Sequence, residues 1–442
     1  MGAVSALGIG VEAHWRAVLE GRCGLGLASR FVSLGFPCPF VGEVKDLAAK
    51  DYVPKSYRKA VKVMARDTEI AVAAAKLAVD DAGFVTRGSE TETPITYPPD
   101  RLSCHIGAGL IAAETQELAS AMVTARRPEA SLNAAGAGWD TRAWGTIEPA
   151  QAEAENGRGA MSGMGNLQPL WMLKYLPNMP ACHVTIVHGA EGPSNTLTCG
   201  EASGLLCIGE SARVIERGAA DAGFAGSAES KIGLMGMARL AVMGRMATVD
   251  AASDPALAVR PYSPDSSGAV PGEGGGILML ESMEHAQGRK AKIYAEVAGF
   301  GSAQSGGLTL PPFVGVVGAE RSPGVNDGLR CAILAALKDA GIGPGAIDAV
   351  IPQACGIPAF DAGEDGALKK IFGERSVPRI LLAPLLGDCV AGNGGLQAGI
   401  GSMMVQCGRI PGSSGAGRCQ TVLVCSSSQG GQNAALVLRA VA

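Results

Sequence analysis

The chain has 442 residues, of which 47% are hydrophobic and 18% are charged, and its formal net charge is −4. This length exceeds one ordinary hydrophobic core and predicts two domains or two fused halves, while the composition excludes an intrinsically disordered chain. The charge, without any cluster of five or more basic residues, gives no electrostatic reason to expect nucleic acid as a partner.

No apolar run approaches the length of a membrane span, and no basic and apolar leader opens the chain. We therefore expect a cytoplasmic protein without a membrane span. The 12 cysteines are scattered singly and no C-x-x-C pair occurs, so neither a zinc ribbon nor a redox motif is supported. We expect neither a cofactor nor a metal ion.

Hydrophobic periodicity predicts alternating helices and strands in the first half of the chain. The segment before residue 11 is predicted as a loop. Residues 127–165, which are rich in small and polar residues and lack periodicity, are expected to form an inserted surface excursion. Helices are predicted at residues 11–20, 66–83 and 112–125, and strands at residues 102–106, 182–187 and 222–227.

The stretch from Gly192 to Gly218, GPSNTLTCGEASGLLCIGESARVIERG, combines a short extended run, a tight turn of small residues and an amphipathic helix. The turn places Glu201 at or beside the first helical position, where free backbone N–H groups and the helix dipole favour negative charge. A strand that delivers a side chain to a helix N-terminus through small residues is the geometry of a nucleophile elbow. Here that position carries a carboxylate.

The second half repeats the alternation, so two packed α/β units are predicted, over residues 1–255 and 256–442. The glycine-rich run at residues 272–276 lacks the context of a phosphate-binding loop and is predicted as a close-packed turn. Strands are predicted at residues 277–280, 291–300, 349–352, 379–382, 422–425 and 435–438, and helices at residues 325–340, 361–372 and 394–406.

Residues 259–281, VRPYSPDSSGAVPGEGGGILMLE, contain the long pattern RP-[FY]-x-x-D-x-x-G-x-x-x-G-E-G, and residues 8–24 and 177–193 add further matches. Through these stretches the chain resembles the β-ketoacyl synthases, the condensing enzymes of fatty acid and polyketide assembly. The resemblance implies a thiolase-like five-layer αβαβα fold, an α/β fold of two duplicated ketosynthase-like halves that is usually dimeric. It also implies a strand ahead of Met1. Either the first sheet is short of that strand or, as we favour, the true start lies upstream.

The chemistry of this family uses a cysteine thiolate at a helix N-terminus and two histidines. By the resemblance, Glu201 stands at the cysteine position, and Cys355 and Asp388 stand at the two histidine positions. Ala383 replaces the family lysine, and Gln429 replaces the phenylalanine of the gate. All five histidines precede the last third of the chain, so none can serve either role. Losing acid–base and oxyanion groups costs several orders of magnitude in rate, so we expect these residues to be catalytically incompetent.

One branch of the family, the chain-length factors or ketosynthase β subunits, lacks the active cysteine and pairs with an active ketosynthase to shape the acyl tunnel. This chain resembles that branch, although it carries glutamate where glutamine is common. We therefore expect a pseudoenzyme subunit that pairs with an active ketosynthase, or with itself, and works with acyl carrier protein. Two alternatives stay open. One is an enzyme that uses Glu201 and Asp388 as acid and base on an acyl thioester, and the other is a structural or regulatory homodimer.

The state of Glu201 also stays open, since helix N–H groups favour the anion and dry surroundings favour the protonated form. Its side chain either caps the helix or interacts with a substrate or the resting pocket. Cys199, two residues earlier, is either a displaced nucleophile or, as we favour, a small buried thiol. A metal site formed by Glu201, Cys355 and Asp388 is conceivable, but it lacks histidine and recognisable ligand spacing.

Overall fold

The computed structural model describes residues 1–33, 35–125, 144, 163–167, 170–306, 324–413 and 418–441. Its strands are β1 (Gly2–Ser5), β2 (Gly8–Ile9), β3 (Gly26–Leu27), β4 (Phe40–Val41), β5 (Leu102–Gly107), β6 (Ser194–Asn195), β7 (Ala222–Ser230), β8 (Glu273–Glu281), β9 (Glu296–Gln304), β10 (Ala349–Ile351), β11 (Thr421–Ser427) and β12 (Gln432–Arg439). Its helices are α1 (Val11–Glu20), α2 (Arg66–Ala82), α3 (Thr115–Thr124), α4 (Trp171–Lys174), α5 (Met179–His188), α6 (Ser203–Glu216), α7 (Leu234–Val242), α8 (Met283–Gly288), α9 (Asp327–Asp339), α10 (Pro358–Phe372), α11 (Ala383–Leu386) and α12 (Asn393–Cys407).

The first sheet has six strands in the order β2-β1-β8-β7-β5-β6. In it β1 pairs antiparallel with β2 and β8, while β5 runs parallel to β6 and β7. The prediction of a loop before residue 11 is wrong, because Gly2–Ser5 forms β1 inside this sheet. The strand is short, buried on both faces and built mostly from small residues, so it shows no alternation in the sequence.

The second sheet has four strands in the order β10-β11-β12-β9. β10 runs parallel to β11, and the other two pairings are antiparallel. The predicted strand at residues 379–382 is reduced to an isolated parallel bridge between Arg379 and Val350 at the edge of this sheet. A short edge segment of this kind cannot be told from a loop by apolar content alone.

The two sheets stack through a shared helical layer. Helices α6 and α12 lie between them and contact strands of both sheets, so that Leu205, Ile208 and Leu396 share one hydrophobic core with Leu436. Helix α2 covers the outer face of the first sheet, and helix α9 covers the outer face of the second. The result is five layers, αβαβα, with α6 and α12 running through the middle of the molecule.

The glycine-rich run at residues 272–276 does not form the predicted turn, because most of it belongs to β8. Its glycines let strands β1 and β7 and helix α12 approach closely. A Cβ atom on Gly274 would lie 2.8 Å from the carbonyl oxygen of Val4 in β1, and one on Gly276 would lie 2.4 Å from the carbonyl carbon of Gly395 in α12. The run therefore serves close packing between a central strand and helix α12.

Residues 182–187 belong to helix α5 and not to the predicted strand. Pro180 occupies the first turn, and Gly189 ends the helix in the left-handed conformation with φ of 67°. Proline at the start and glycine just past the end are helix signals, and they decide against a strand here. The apolar alternation over six residues was too short to separate the two structures.

The other predicted helices and strands overlap helices and strands of the structure. The excursion predicted at residues 127–165 lies largely outside the described residues. The boundary at residue 255 stays a prediction; β8, which follows it in the chain, lies inside the first sheet. Within the described ranges, no helix is both long and apolar enough to cross a membrane.

Candidate functional site

The turn that carries Glu201 is a single 3₁₀ turn, Gly200–Ala202, which leads directly into helix α6. Gly200 has φ of 54°, and a Cβ atom there would lie 3.2 Å from the Cβ atom of Ser428. The hydroxyl of Ser203 accepts a hydrogen bond from the backbone N–H of Cys199 at 2.8 Å and donates to the carbonyl of Gly200 at 2.6 Å. Small residues thus hold the sharp turn, and the predicted elbow geometry is present.

The Glu201 side chain is buried, with 1% of its surface exposed, and it binds the guanidinium of Arg245. The same Nη2 atom of Arg245 lies 3.1 Å from Oδ2 of Asp388, and Nη1 donates to Oε1 of Gln429 at 3.2 Å. Arg245 therefore joins three positions that the sequence analysis singled out, and these four residues are called the Arg245 cluster below. Charge-assisted hydrogen bonds of this kind are among the stronger polar contacts in a protein.

Asp388 is fixed by the loop that leads into helix α12. Its Oδ1 atom accepts hydrogen bonds from the backbone N–H of Val390 at 3.0 Å and from Nδ2 of Asn393 at 2.7 Å. One turn further, the backbone N–H of Ala391 donates to Oε2 of the buried Glu229 at 2.7 Å. The Asp388 carboxylate is thus held on both oxygens, and Glu229 supports the loop that presents it.

Cys355 and Cys199, the two thiols singled out in the sequence, lie in surroundings that disfavour the thiolate. Burial raises the pKa of Cys355 well above its ordinary value, and Asp361 and Asp388 raise it further, so this side chain stays a thiol. Its Sγ atom lies 4.0 Å from Oδ1 of Asp361. Burial also raises the pKa of Cys199. Because the thiolate is the reactive form, these environments favour the structural role that we expected for Cys199.

Of the two remaining predicted positions, Gln429 lies in the Arg245 cluster and Ala383 lies outside it. Gln429 belongs to it, and its Nε2 atom is buried without a hydrogen-bond partner. Ala383 begins helix α11 and packs in a separate hydrophobic cluster with Val270 and Met246. The structure thus brings Glu201 together with Asp388 and Gln429 through polar contacts, whereas Ala383 packs among apolar side chains.

The surroundings of Glu201 shift its pKa upward. Burial raises the pKa of Glu201, Arg245 lowers it, and the nearby Asp388 raises it again, with a net upward shift. Burial opposes ionisation of Arg245, yet Glu201 and Asp388 together raise its pKa above the ordinary arginine value. The guanidinium therefore keeps its charge, and Glu201 takes up a proton more readily than an exposed glutamate does.

No histidine reaches the cluster, and all five lie within the described residues. His14 contacts Ser5, His183 contacts Tyr57, His188 contacts Thr86, His105 lies in β5, and the ring of His285 packs against that of Tyr97. Across the described ranges, no group of three or more histidine, cysteine, aspartate or glutamate side chains is placed to hold a metal ion. The cluster offers a guanidinium, carboxylates and an amide, but no imidazole and no thiolate.

The backbone is strained beside Cys355 and beside Asp388. Ala354, just before Cys355, has φ of 41°, and Val390, two residues after Asp388, has φ of 49°. Such left-handed conformations are uncommon for residues other than glycine, and for a β-branched valine they are strained. Ala354 is held there by its N–H, which donates to Oε2 of Glu364 at 2.9 Å. The loops beside Cys355 and Asp388 thus each contain a residue in an unfavourable left-handed conformation.

Arg245 is the functional residue that the sequence analysis missed. The sequence offers one signal for it, a single charged residue in the apolar segment from Met243 to Ala247. Its neighbours Met246 and Ala247 are buried, and so is Arg245 itself, at 5% exposure. A buried arginine needs carboxylate partners, so such a residue marks a candidate for pairing with Glu201 or Asp388.

Two family models match the chain. The model described as "Beta-ketoacyl synthase, N-terminal domain" matches residues 1–286, and "Beta-ketoacyl synthase, C-terminal domain" matches residues 294–416. One curated relative is 3-oxoacyl-[acyl-carrier-protein] synthase 2 of Staphylococcus aureus. It is 27% identical over 412 residues, which cover 93% of this chain and 87% of the relative.

Solved structures with the same fold include the ishigamide ketosynthase/chain length factor. It has a TM-score of 0.76 and 23% identity, and the match covers 100% of this chain and 98% of that chain. A type II polyketide synthase acyl-carrier protein in complex with its ketosynthase gives a TM-score of 0.74 and 21% identity, with coverage of 100% and 98%. At these identities the similarity establishes the fold alone, and it confirms the predicted thiolase-like five-layer architecture.

Proposed function

The chain belongs to the β-ketoacyl synthase family, and we propose that it is a non-catalytic subunit that pairs with an active ketosynthase in fatty acid, polyketide or polyene biosynthesis. In such a pair it would act as chain length factors do and shape the tunnel that holds the growing acyl chain. The active partner would carry out the condensation on groups delivered by acyl carrier protein.

One observation carries this proposal, namely that a buried ion cluster fills the turn before helix α6, the place that the resemblance assigns to the nucleophile of a condensing enzyme. Glu201 occupies the turn before helix α6, and Arg245 binds both Glu201 and Asp388. A carboxylate is a poor substitute for the thiolate, because an acyl-glutamyl anhydride would hydrolyse before a second substrate could bind. No histidine is near enough to assist decarboxylation or to stabilise a carbanion.

The pairing with a second subunit is supported by similarity. A solved neighbour of this chain is the ishigamide ketosynthase/chain length factor, and another is an acyl-carrier protein in complex with its ketosynthase. Both matches cover 100% of this chain and 98% of the matched chain. A homodimer of this chain is the competing assembly.

The alternative of an acid–base enzyme is less favoured by the geometry. A general base needs a free lone pair that faces the substrate, and a general acid must release its proton to it. Glu201 and Asp388 both face the guanidinium of Arg245, and Asp388 also accepts hydrogen bonds from Val390 and Asn393 on its second oxygen. Their polar capacity is thus largely used inside the protein.

Co-expression tests the proposal directly. The chain is produced together with a candidate partner, a ketosynthase that retains its cysteine and both histidines. We expect the two to copurify as a heterodimer and the product length to change when this chain is left out. A cysteine-to-alanine variant of the partner should abolish turnover by the pair. Turnover by this chain alone, or by the pair with the disabled partner, would overturn the proposal.

A further inference from the structure

Arg245 contacts several separate segments of the chain around the turn that carries Glu201. Its side chain is 6% exposed and donates to side chains from the turn before α6, the loop before α12 and the loop after β11. Its guanidinium carbon also lies 5.4 Å from the centre of the Phe360 ring, at the start of helix α10. One side chain therefore ties four separate segments together around the elbow.

Arg245 lies between the buried Glu201 and the partly exposed Gln429, and it contacts both side chains. A ligand that approached the elbow past Gln429 would have to displace the guanidinium and leave two buried carboxylates without their partner. Breaking a buried ion pair in this way is strongly unfavourable.

We propose that Arg245 closes the pocket at the elbow and excludes acyl thioesters carried by acyl carrier protein. The class of ligand in this inference rests on the proposed function, whereas the closure rests on the contacts of Arg245 alone. Arg245 acts here as a positioning residue, since it touches no reacting atom. Arg245 blocks access of the acyl thioester to residue 201. Placing a cysteine at residue 201 alone therefore does not restore acylation.

The test uses a cysteine placed at the elbow as a reporter of access. The variant E201C is compared with the variant E201C/R245A/D388N, in which the asparagine removes the carboxylate that would otherwise be left unpaired. Each is incubated with an acyl carrier protein whose prosthetic thiol is replaced by a chloroacetamide electrophile, and the covalent complex is followed by intact mass and peptide mapping. The variant E201A measures the background reaction at Cys199. The variant E201C/R260A is the matched control for removing an arginine, because Arg260 is exposed and its ion pair with Asp265 is long, at 3.8 Å.

We expect the triple variant to cross-link at residue 201 on the order of 100-fold faster than E201C, the factor that corresponds to the loss of one buried charge pair. E201C/R260A should react as slowly as E201C. Equal rates for E201C and the triple variant, with both folded by circular dichroism, would overturn the inference. If the triple variant does not fold, the inference is tested with E201C and E201C/R245K, in which the lysine shortens the reach of the cation. Fast cross-linking of E201C overturns the inference. Slow cross-linking of E201C that becomes faster in E201C/R245K supports the inference.

The outcome is independent of the partner. Cross-linking needs only this chain and a carrier protein, so a failed copurification would count against the proposed pairing without touching the closure. Conversely, an open pocket in E201C would leave the pairing intact and remove only the role of Arg245.

Discussion

Nη2 of Arg245 lies 3.1 Å from Oδ2 of Asp388 while the same nitrogen donates to Oε1 of Glu201. A single buried nitrogen thus bridges two carboxylates that stand 187 positions apart in the chain, at residues 201 and 388. These side chains hydrogen-bond to one another, so less of their polar capacity is available to a substrate.

Removing the guanidinium should destabilise the protein. We expect Arg245→Met to lose about 3–5 kcal/mol of unfolding free energy, because two buried carboxylates lose their partner. The triple variant E201Q/R245M/D388N should recover most of that loss, since it removes the charges together. Urea unfolding followed by circular dichroism measures both, with Arg260→Met as an exposed control. A loss under 1 kcal/mol for Arg245→Met would contradict the buried pairing.

The stability should depend on pH through Glu201. Its pKa is raised in the folded protein, so the folded state binds a proton more tightly than the unfolded chain does. Stability contributed by this proton is fully present below the ordinary glutamate value of 4.5 and declines as pH rises from there toward the folded-state pKa. We therefore expect the wild type to lose stability relative to Glu201→Gln on raising the pH above this value. A difference that is flat or opposite in sign across this window would show that Glu201 is held as an anion.

Restoring the nucleophile should not restore condensation. The variant Glu201→Cys would still lack imidazoles at residues 355 and 388, and the missing acid–base and oxyanion groups normally contribute several orders of magnitude. We expect its condensation rate to stay roughly 1,000-fold or more below that of an active ketosynthase measured under the same conditions. Product formation from malonyl- and acyl-carrier protein, followed by mass spectrometry, gives the rate. A rate within tenfold of the active enzyme would refute the assignment.

The native thiols should resist acylation. Burial raises the pKa of Cys199 and of Cys355, so neither provides a thiolate at neutral pH, whereas Cys331 is exposed. Brief treatment of the folded protein with iodoacetamide should modify the exposed Cys331 and Cys407 first and leave Cys355 unmodified. Incubation with acyl-carrier protein should give no adduct on Cys199. An acyl group found there by peptide mapping would make Cys199 a displaced nucleophile.

The glycines of β8 should be intolerant of side chains. A Cβ atom on Gly276 would lie 2.4 Å from the carbonyl carbon of Gly395, well inside contact distance, and both backbones are buried. We expect Gly276→Ala to cost about 3 kcal/mol or more, or to abolish folding, since overpacking a tight core forces the backbone to move. Gly288→Ala, where no atom lies within 4 Å of the added carbon, is the matched control and should change little. Soluble yield and urea midpoint distinguish the two.

Much of this protein was determined by its sequence alone. The periodic helices, such as α2 and α9, and the apolar strands of the second half follow from local pattern, and the turn that ends at Glu201 follows from its small residues. The absence of histidine from the last third of the chain is a property of composition, and it excludes an imidazole pair at residues 355 and 388 without any coordinates.

Tertiary structure decided what local pattern could not. β1 and the glycine-rich first part of β8 are strands because their small residues are sandwiched between neighbouring strands and helices, and burial on both faces removes the alternation that marks a strand. The pairing of Arg245 with Glu201 and Asp388 depends on three segments that meet only in the folded chain. Sequence spacing carries no information about such a contact, since the fold alone decides which charged side chains come within a few ångströms of one another.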